Sequence, residues 1–150
     1  MRRLFVGLLV VLPLVTSGCI APLFIEMFKD PYGRHDSLIR VQREYTNALR
    51  WNHPDIAAQF VHPEMRAQFI AHAQKFKEIR VTDYEVGKVV WGEEQATATL
   101  VVTYRAYSMS NMVEKEIRET QHWMRLSKRA NDWVVEPKID HLIDSVATGM

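Results

Sequence analysis

Gln95 to Tyr107 reads Q-A-T-A-T-L-V-V-T-Y-R-A-Y. Ala96, Ala98, Leu100, Val102, Tyr104 and Ala106 fall on one side of this stretch, and Thr97, Thr99, Val101, Thr103, Arg105 and Tyr107 on the other. Successive side chains of an extended chain point to opposite faces, so the alternation predicts a long strand with one apolar face. Its neighbours keep the same period. Ile79 to Trp91 reads as a strand with Gly87 as a bulge, because one extra residue there brings Val89 and Trp91 to the face already used by Tyr84 and Val86. Gly92-Glu93 is the expected hairpin turn, and Ser108 to Asn111 turns the chain back. Met112 to Leu126 follows as a strand that is charged in its first half and apolar near Trp123, Met124 and Leu126, which leaves its inward face open. Ser127 to Asp132 is a polar turn, Trp133 to Glu136 a last strand, and Pro137 ends it. Ile139, Leu142, Ile143 and Val146 then recur at helical spacing, which predicts a short C-terminal helix.

Upstream of the strands the period is helical. Leu38, Val41, Tyr45, Ala48 and Leu49 make one stripe, with Arg40, Arg43, Glu44, Asn47 and Arg50 facing away. Asp36 or Ser37 suits the N-cap, and Asn52-His53-Pro54 ends the helix, since the residue before a proline is pushed out of the helical region. Pro54 suits the first turn of a short second helix reaching Phe60 or Val61. His62-Pro63-Glu64 repeats the device and starts a third helix, whose stripe is Met65, Phe69, His72 or Ala73, and Phe76, with Lys75 and Lys77 near its negative end. The fold class expected from this order is α+β.

The chain has 150 residues, 47% hydrophobic and 25% charged, which allows about one domain and excludes a disordered, collagenous or disulfide-stapled protein. Nineteen basic residues against 18 acidic ones make no field of one sign, so a nucleic-acid partner is not expected.

Arg2 and Arg3 precede Leu4 to Val15, an apolar run interrupted by Gly7 and Pro13. A bilayer-spanning helix needs about 20 apolar residues, so this run reads as a secretion signal over residues 1–18 and not as a span. Thr16-Ser17-Gly18 then leads into Cys19, the one cysteine of the chain. This resembles the lipobox of bacterial lipoproteins, with Thr16 where that family usually has leucine. The resemblance implies that Cys19 becomes the mature first residue and carries acyl chains, each buried CH2 adding about 0.8 kcal/mol to membrane anchoring. Ile20 stands where an aspartate tends to retain such proteins at the inner membrane. The resemblance therefore implies lipid anchoring at the outer membrane, facing the periplasm, in a Gram-negative host. Removal of residues 1–18 leaves 132 residues with 17 basic and 18 acidic, enough for a core without disulfides. Residues 19–33 form the lipidated cysteine and a connector. Leu23, Phe24, Ile25, Met27 and Phe28 make it too apolar for a solvated tether, so it either docks against the domain or lies among lipid headgroups.

Residues 34–150, with a core over 36–136, resemble the NTF2-like or SnoaL-like superfamily of cone-shaped α+β domains. The resemblance is carried by Tyr45 to Trp51, Phe60-Val61-His62-Pro63-Glu64, Asp83-Tyr84-Glu85-Val86, Ala96 to Tyr104, Thr120-Gln121-His122-Trp123 and Trp133-Val134-Val135. It implies helices packed in a curled antiparallel sheet whose open end serves some members as a pocket. Tyr45, Phe60, Phe69, Tyr84, Tyr104 and one of His122 or Trp123 are its expected lining, or else they are simply core. The resemblance also implies dimerisation through the open sheet face as an arrangement to test.

The residues name no chemistry of their own. Asp83 and Tyr84 are adjacent on a strand and point to opposite faces unless a bulge intervenes, so they make no ready acid–base pair. The six histidines, His35, His53, His62, His72, His122 and His141, include no pair at metal-ligand spacing, and no Cys-x-x-Cys or phosphate-cradling glycine pattern occurs, so neither a metal nor a cofactor is expected. Glu114, Glu116, Arg118 and Glu119 with Arg105 read as a charged sheet surface, solvated or partner-docking. The expectation is thus a lipid-anchored envelope module that binds a small apolar ligand or a protein partner without catalysis. The alternative is a small enzyme of the isomerase, dehydratase or cyclase type with its site in the cone.

Overall fold

In the computed structural model the chain divides into two compact units, Met1–Pro31 and Tyr32–Met150. The structure describes residues 32–128, 130–138 and 143–146, all in the second unit. The leader, Cys19 and the connector lie outside the described residues.

Helix α1 spans Arg34–Arg50 and starts two residues earlier than the expected cap. Gly33, in the left-handed region at φ 59°, is its N-cap. Asp36 falls in the first turn instead, where its charge suits the positive helix end, and the Ser37 hydroxyl donates to the Arg34 carbonyl at 2.9 Å. The buried face is broader than the apolar stripe, because Ser37, Gln42 and Thr46 are also enclosed, while Val41 is only half-buried. Enclosed polar groups need internal partners. Gln42 accordingly donates from Nε2 to Thr46 Oγ1 at 2.9 Å.

Helix α2, Pro54–Ala57, continues through a 3-10 turn at Ala58–Phe60, and a second 3-10 turn at Pro63–Met65 leads into α3, Arg66–Phe76. Phe69, Ala73 and Phe76 form its buried face. Four strands follow in the order β1 (Ile79–Val86), β3 (Thr97–Ser108), β4 (Lys115–Arg125), β5 (Trp133–Glu136), and the short β2 (Val90–Trp91) also pairs with β3. Each of these pairings is antiparallel.

β3 alternates as expected, with Ala98, Leu100, Val102, Tyr104 and Ala106 buried, though it begins at Thr97 and not at Gln95. The chain between β2 and β3 is longer than a Gly92-Glu93 hairpin. It forms a 3-10 turn at Glu93–Gln95, with Glu94 and Gln95 at positive φ. The bulge expected at Gly87 is a full break between β1 and β2, and Gly87 still holds to β3 by its N–H to the Val101 carbonyl at 2.8 Å. A true bulge lies earlier. Val81 pairs with Ala106 and Asp83 with Arg105, which leaves Thr82 as the extra residue. It moves the inward positions from Ile79 and Val81 to Tyr84 and Val86.

β4 is shorter than the expected 112–126, and its inward face is Ile117, Glu119, Gln121 and Trp123. Residues 143–146 form a last helical turn, with Ile143 and Val146 in the core; Ile139 and Leu142 lie outside the described residues. The core runs between the concave sheet face and α1 to α3, the arrangement expected of the cone-shaped α+β class. Two hydrogen bonds tie its ends: Trp133 Nε1 donates to Ser37 Oγ at 3.1 Å, joining β5 to α1, and the His62 N–H donates to the Val135 carbonyl at 3.0 Å.

Candidate functional site

The inside of the cone is lined by rings. Tyr45 on α1 meets Trp123 on β4 edge to face, centroids 5.8 Å apart, and Phe69 on α3 at 6.4 Å. Together with Tyr104 these side chains are at most 1% exposed. Of the other residues expected to line a pocket, Phe60 and Tyr84 are half-buried and packed against the same cluster, and the Tyr84 hydroxyl donates to Asn47 Oδ1 at 3.0 Å. That bond turns Asn47 toward the sheet, where the helical stripe had it facing away. Between His122 and Trp123 the pleat decides: Trp123 points inward, and His122 lies on the other face with Nδ1 3.2 Å from Thr99 Oγ1.

Within this aromatic lining sits a carboxylate. Glu119, read from the sequence as part of a charged sheet surface, solvated or partner-docking, is only 3% exposed. Its Oε2 accepts from the Tyr104 hydroxyl and from Gln121 Nε2, both at 2.9 Å. Gln121 Nε2 also donates to the Tyr104 hydroxyl oxygen at 3.0 Å, and Gln121 Oε1 accepts from Trp123 Nε1 at 3.2 Å. Four adjacent side chains thus satisfy one another in a low-dielectric setting, which gives such networks their rigidity. The Tyr45 hydroxyl, fully buried beside them, has no hydrogen-bond partner among the described residues. Burial, and then the nearby Glu119 charge, push both the Tyr45 and the Tyr104 phenol well above the ordinary value of 10.0.

Three depressions are lined by described residues, and one of them reaches Glu119. One of about 380 Å³ runs along the outer face of α1, past His35, Arg40 and Arg43. Another, of about 360 Å³, is lined by Pro54, Ile70, Ala73 and Lys77. A smaller one of about 150 Å³ touches Arg118, Glu119, Thr120 and Lys138. Among the described residues, no three of His, Cys, Asp and Glu gather as a metal site. The exposed sheet face carries two ion pairs, with Arg105 Nη2 at 2.6 Å from Asp83 Oδ2 and Arg118 Nη2 at 3.5 Å from Glu116 Oε1.

The polar network escaped sequence reading because Glu119 and Gln121 occupy inward positions of β4, where a period-two pattern would show apolar residues. Counting back by twos from Trp123, the one large aromatic of that strand, was the signal that could have exposed it.

No family model and no curated protein matches the chain. Among solved structures it is similar to a SEC-C motif containing protein from Rhodopseudomonas palustris, with 14% identity and a TM-score of 0.52, covering 72% of this chain and 88% of that one. It is also similar to a candidate polyketide cyclase from Xanthomonas campestris pv. campestris, with 9% identity and a TM-score of 0.49, covering 76% and 99%. The first likeness is one of fold, and the second is weaker.

Proposed function

We propose that this chain is a binding module of the bacterial cell envelope, lipid-anchored through Cys19 at the periplasmic face of the outer membrane and without catalysis of its own. The observation that carries the non-catalytic reading is the packing of the core: Tyr45, Phe69, Trp123 and Tyr104 are buried together, and Glu119 gives its Oε2 to internal donors. A general base needs a lone pair facing a substrate position, and those of Oε2 are directed to a tyrosine and a glutamine. The anchor reading is supported by the leader of residues 1–18 and the single cysteine that follows it. A clickable fatty acid fed to cells labels the wild-type chain and fails to label Cys19→Ala, which moves to the soluble fraction; label retained by Cys19→Ala refutes the anchor. Native mass spectrometry of the purified chain then reads its cargo, a small apolar ligand or a protein partner.

The alternative enzyme reading has one observation in its favour. A carboxylate held against a phenol inside an apolar core is the raw material of proton-transfer chemistry, and the Tyr45 hydroxyl, without a hydrogen-bond partner among the described residues, stands beside it. Substitution at Glu119 separates the two readings.

A further inference from the structure

We propose that the depression beside Glu119 is a binding site for a small zwitterion, an ammonium compound that also carries an anionic group, of which an α-amino acid is the simplest kind. An ionised carboxyl has two oxygens to satisfy, and taking it out of water is costly unless both find donors. In Glu119 one of them does. Oε2 takes the Tyr104 hydroxyl and Gln121 Nε2, whereas Oε1 accepts nothing among the described residues. Oε1 is nevertheless not one of the sealed, partnerless polar atoms, as the Tyr45 hydroxyl is, so it reaches open space. The depression of about 150 Å³ at this point of β4 has Glu119 in its wall. The donor that Oε1 lacks can therefore arrive from outside, and a charged N–H donor makes the strongest bond to a carboxylate.

The rim sets the rest of the ligand. Arg118, Thr120 and Lys138 complete the wall among the described residues, so Glu119 is its one acid there. Arg118 is taken by Glu116 at 3.5 Å, but Lys138 is exposed and makes no ion pair among the described residues. A negative charge within and an unpaired positive charge at the rim match a ligand of the reverse pattern, ammonium inward and carboxylate outward. Either half alone leaves one pole unmet. The site binds and does not catalyse, since the neighbouring phenol, Tyr104, is sealed on the Oε2 side. It needs neither the lipid anchor nor the apolar cargo proposed above.

The test uses the full chain as cells produce it, purified and isotope-labelled, and follows the amide resonances of Arg118, Glu119 and Thr120 as L-alanine is added. Saturable shifts at these amides are expected, with several-fold weaker binding of ethylammonium or of propionate, which carry one pole each. Lys138→Ala, a change at an exposed position, weakens alanine to the level of ethylammonium and leaves ethylammonium itself unchanged. Glu119→Gln loses the response to both. Absence of a saturable shift with alanine overturns the proposal, and so does propionate binding as well as alanine, which assigns the site to the rim cations alone. An alanine response that survives intact in Lys138→Ala overturns it too. So does a lower urea midpoint in Lys138→Ala with no alanine response in the wild type, which shows Lys138 itself closing on Oε1.

Discussion

Glu119 brings a carboxylate among rings, and its neighbours explain how the fold tolerates it. Tyr104 and Gln121 each donate to Oε2, so the charge is shared with a phenol and an amide and not left bare. Glu119→Gln keeps the shape and can still present an amide oxygen to Tyr104 and Gln121, but it exchanges two hydrogen bonds to a charged acceptor for two to a neutral one. Urea unfolding should show a loss of about 1–3 kcal/mol, since hydrogen bonds to charged groups are each worth about 1 kcal/mol more than neutral ones. Catalytic groups are commonly held at the expense of stability, so an unchanged or higher midpoint in Glu119→Gln would favour the enzyme reading over a structural brace. His122, one position along from Gln121, bonds Thr99 on the outer face and plays no part in this network.

At the scale of elements, the bulge at Thr82 decides which face of β1 enters the core. Ile79 and Val81 are inward before it and Tyr84 and Val86 after it, a spacing of three across the extra residue. Thr82 is held in place by three neighbours: its carbonyl accepts from Arg50 Nη2 at 2.8 Å, and its one hydroxyl proton is shared between the Arg105 carbonyl and Glu114 Oε1. Deleting Thr82 restores plain alternation with every inward side chain still inward. It should cost about 1–2 kcal/mol, with the far-ultraviolet spectrum unchanged. Deleting Thr103 from the middle of β3 instead flips half of that strand's buried side chains to the outer face, and the chain should fail to fold cooperatively. Equal losses from the two deletions would show that register at Thr82 is as tightly specified as in the central strand.

For the whole molecule, the two buried phenols tie stability to pH. Tyr45 on α1 and Tyr104 on β3 both have their pKa raised above 10.0, first by burial and then by the Glu119 charge. Below pH 10 both folded and unfolded chains hold these protons, and the stabilisation is complete. As pH rises beyond 10 the unfolded chain releases them while the folded chain retains them, so stability falls through the window up to the raised values. Chemical denaturation midpoints should therefore decline above pH 10 together with delayed phenolate absorbance, and Tyr45→Phe should flatten the decline. A phenolate signal that appears for all tyrosines at their ordinary pKa while the fold persists would contradict the burial of this pair.

The sequence by itself determined the α+β class, the order of helices and strands, the inward face of β3 and the existence of a short apolar leader ending at one cysteine, because each depends on local periodicity or on residues close in the chain. Only the tertiary structure decided the inward face of β4, the bulge at Thr82, the turning of Asn47 toward Tyr84 and the meeting of Tyr45, Tyr104, Glu119, Gln121 and Trp123. Those features arise where partners far apart in sequence satisfy buried polar groups. A carboxylate at an inward strand position looks solvated until the tyrosine that covers it, fifteen residues away and on the next strand, is in place.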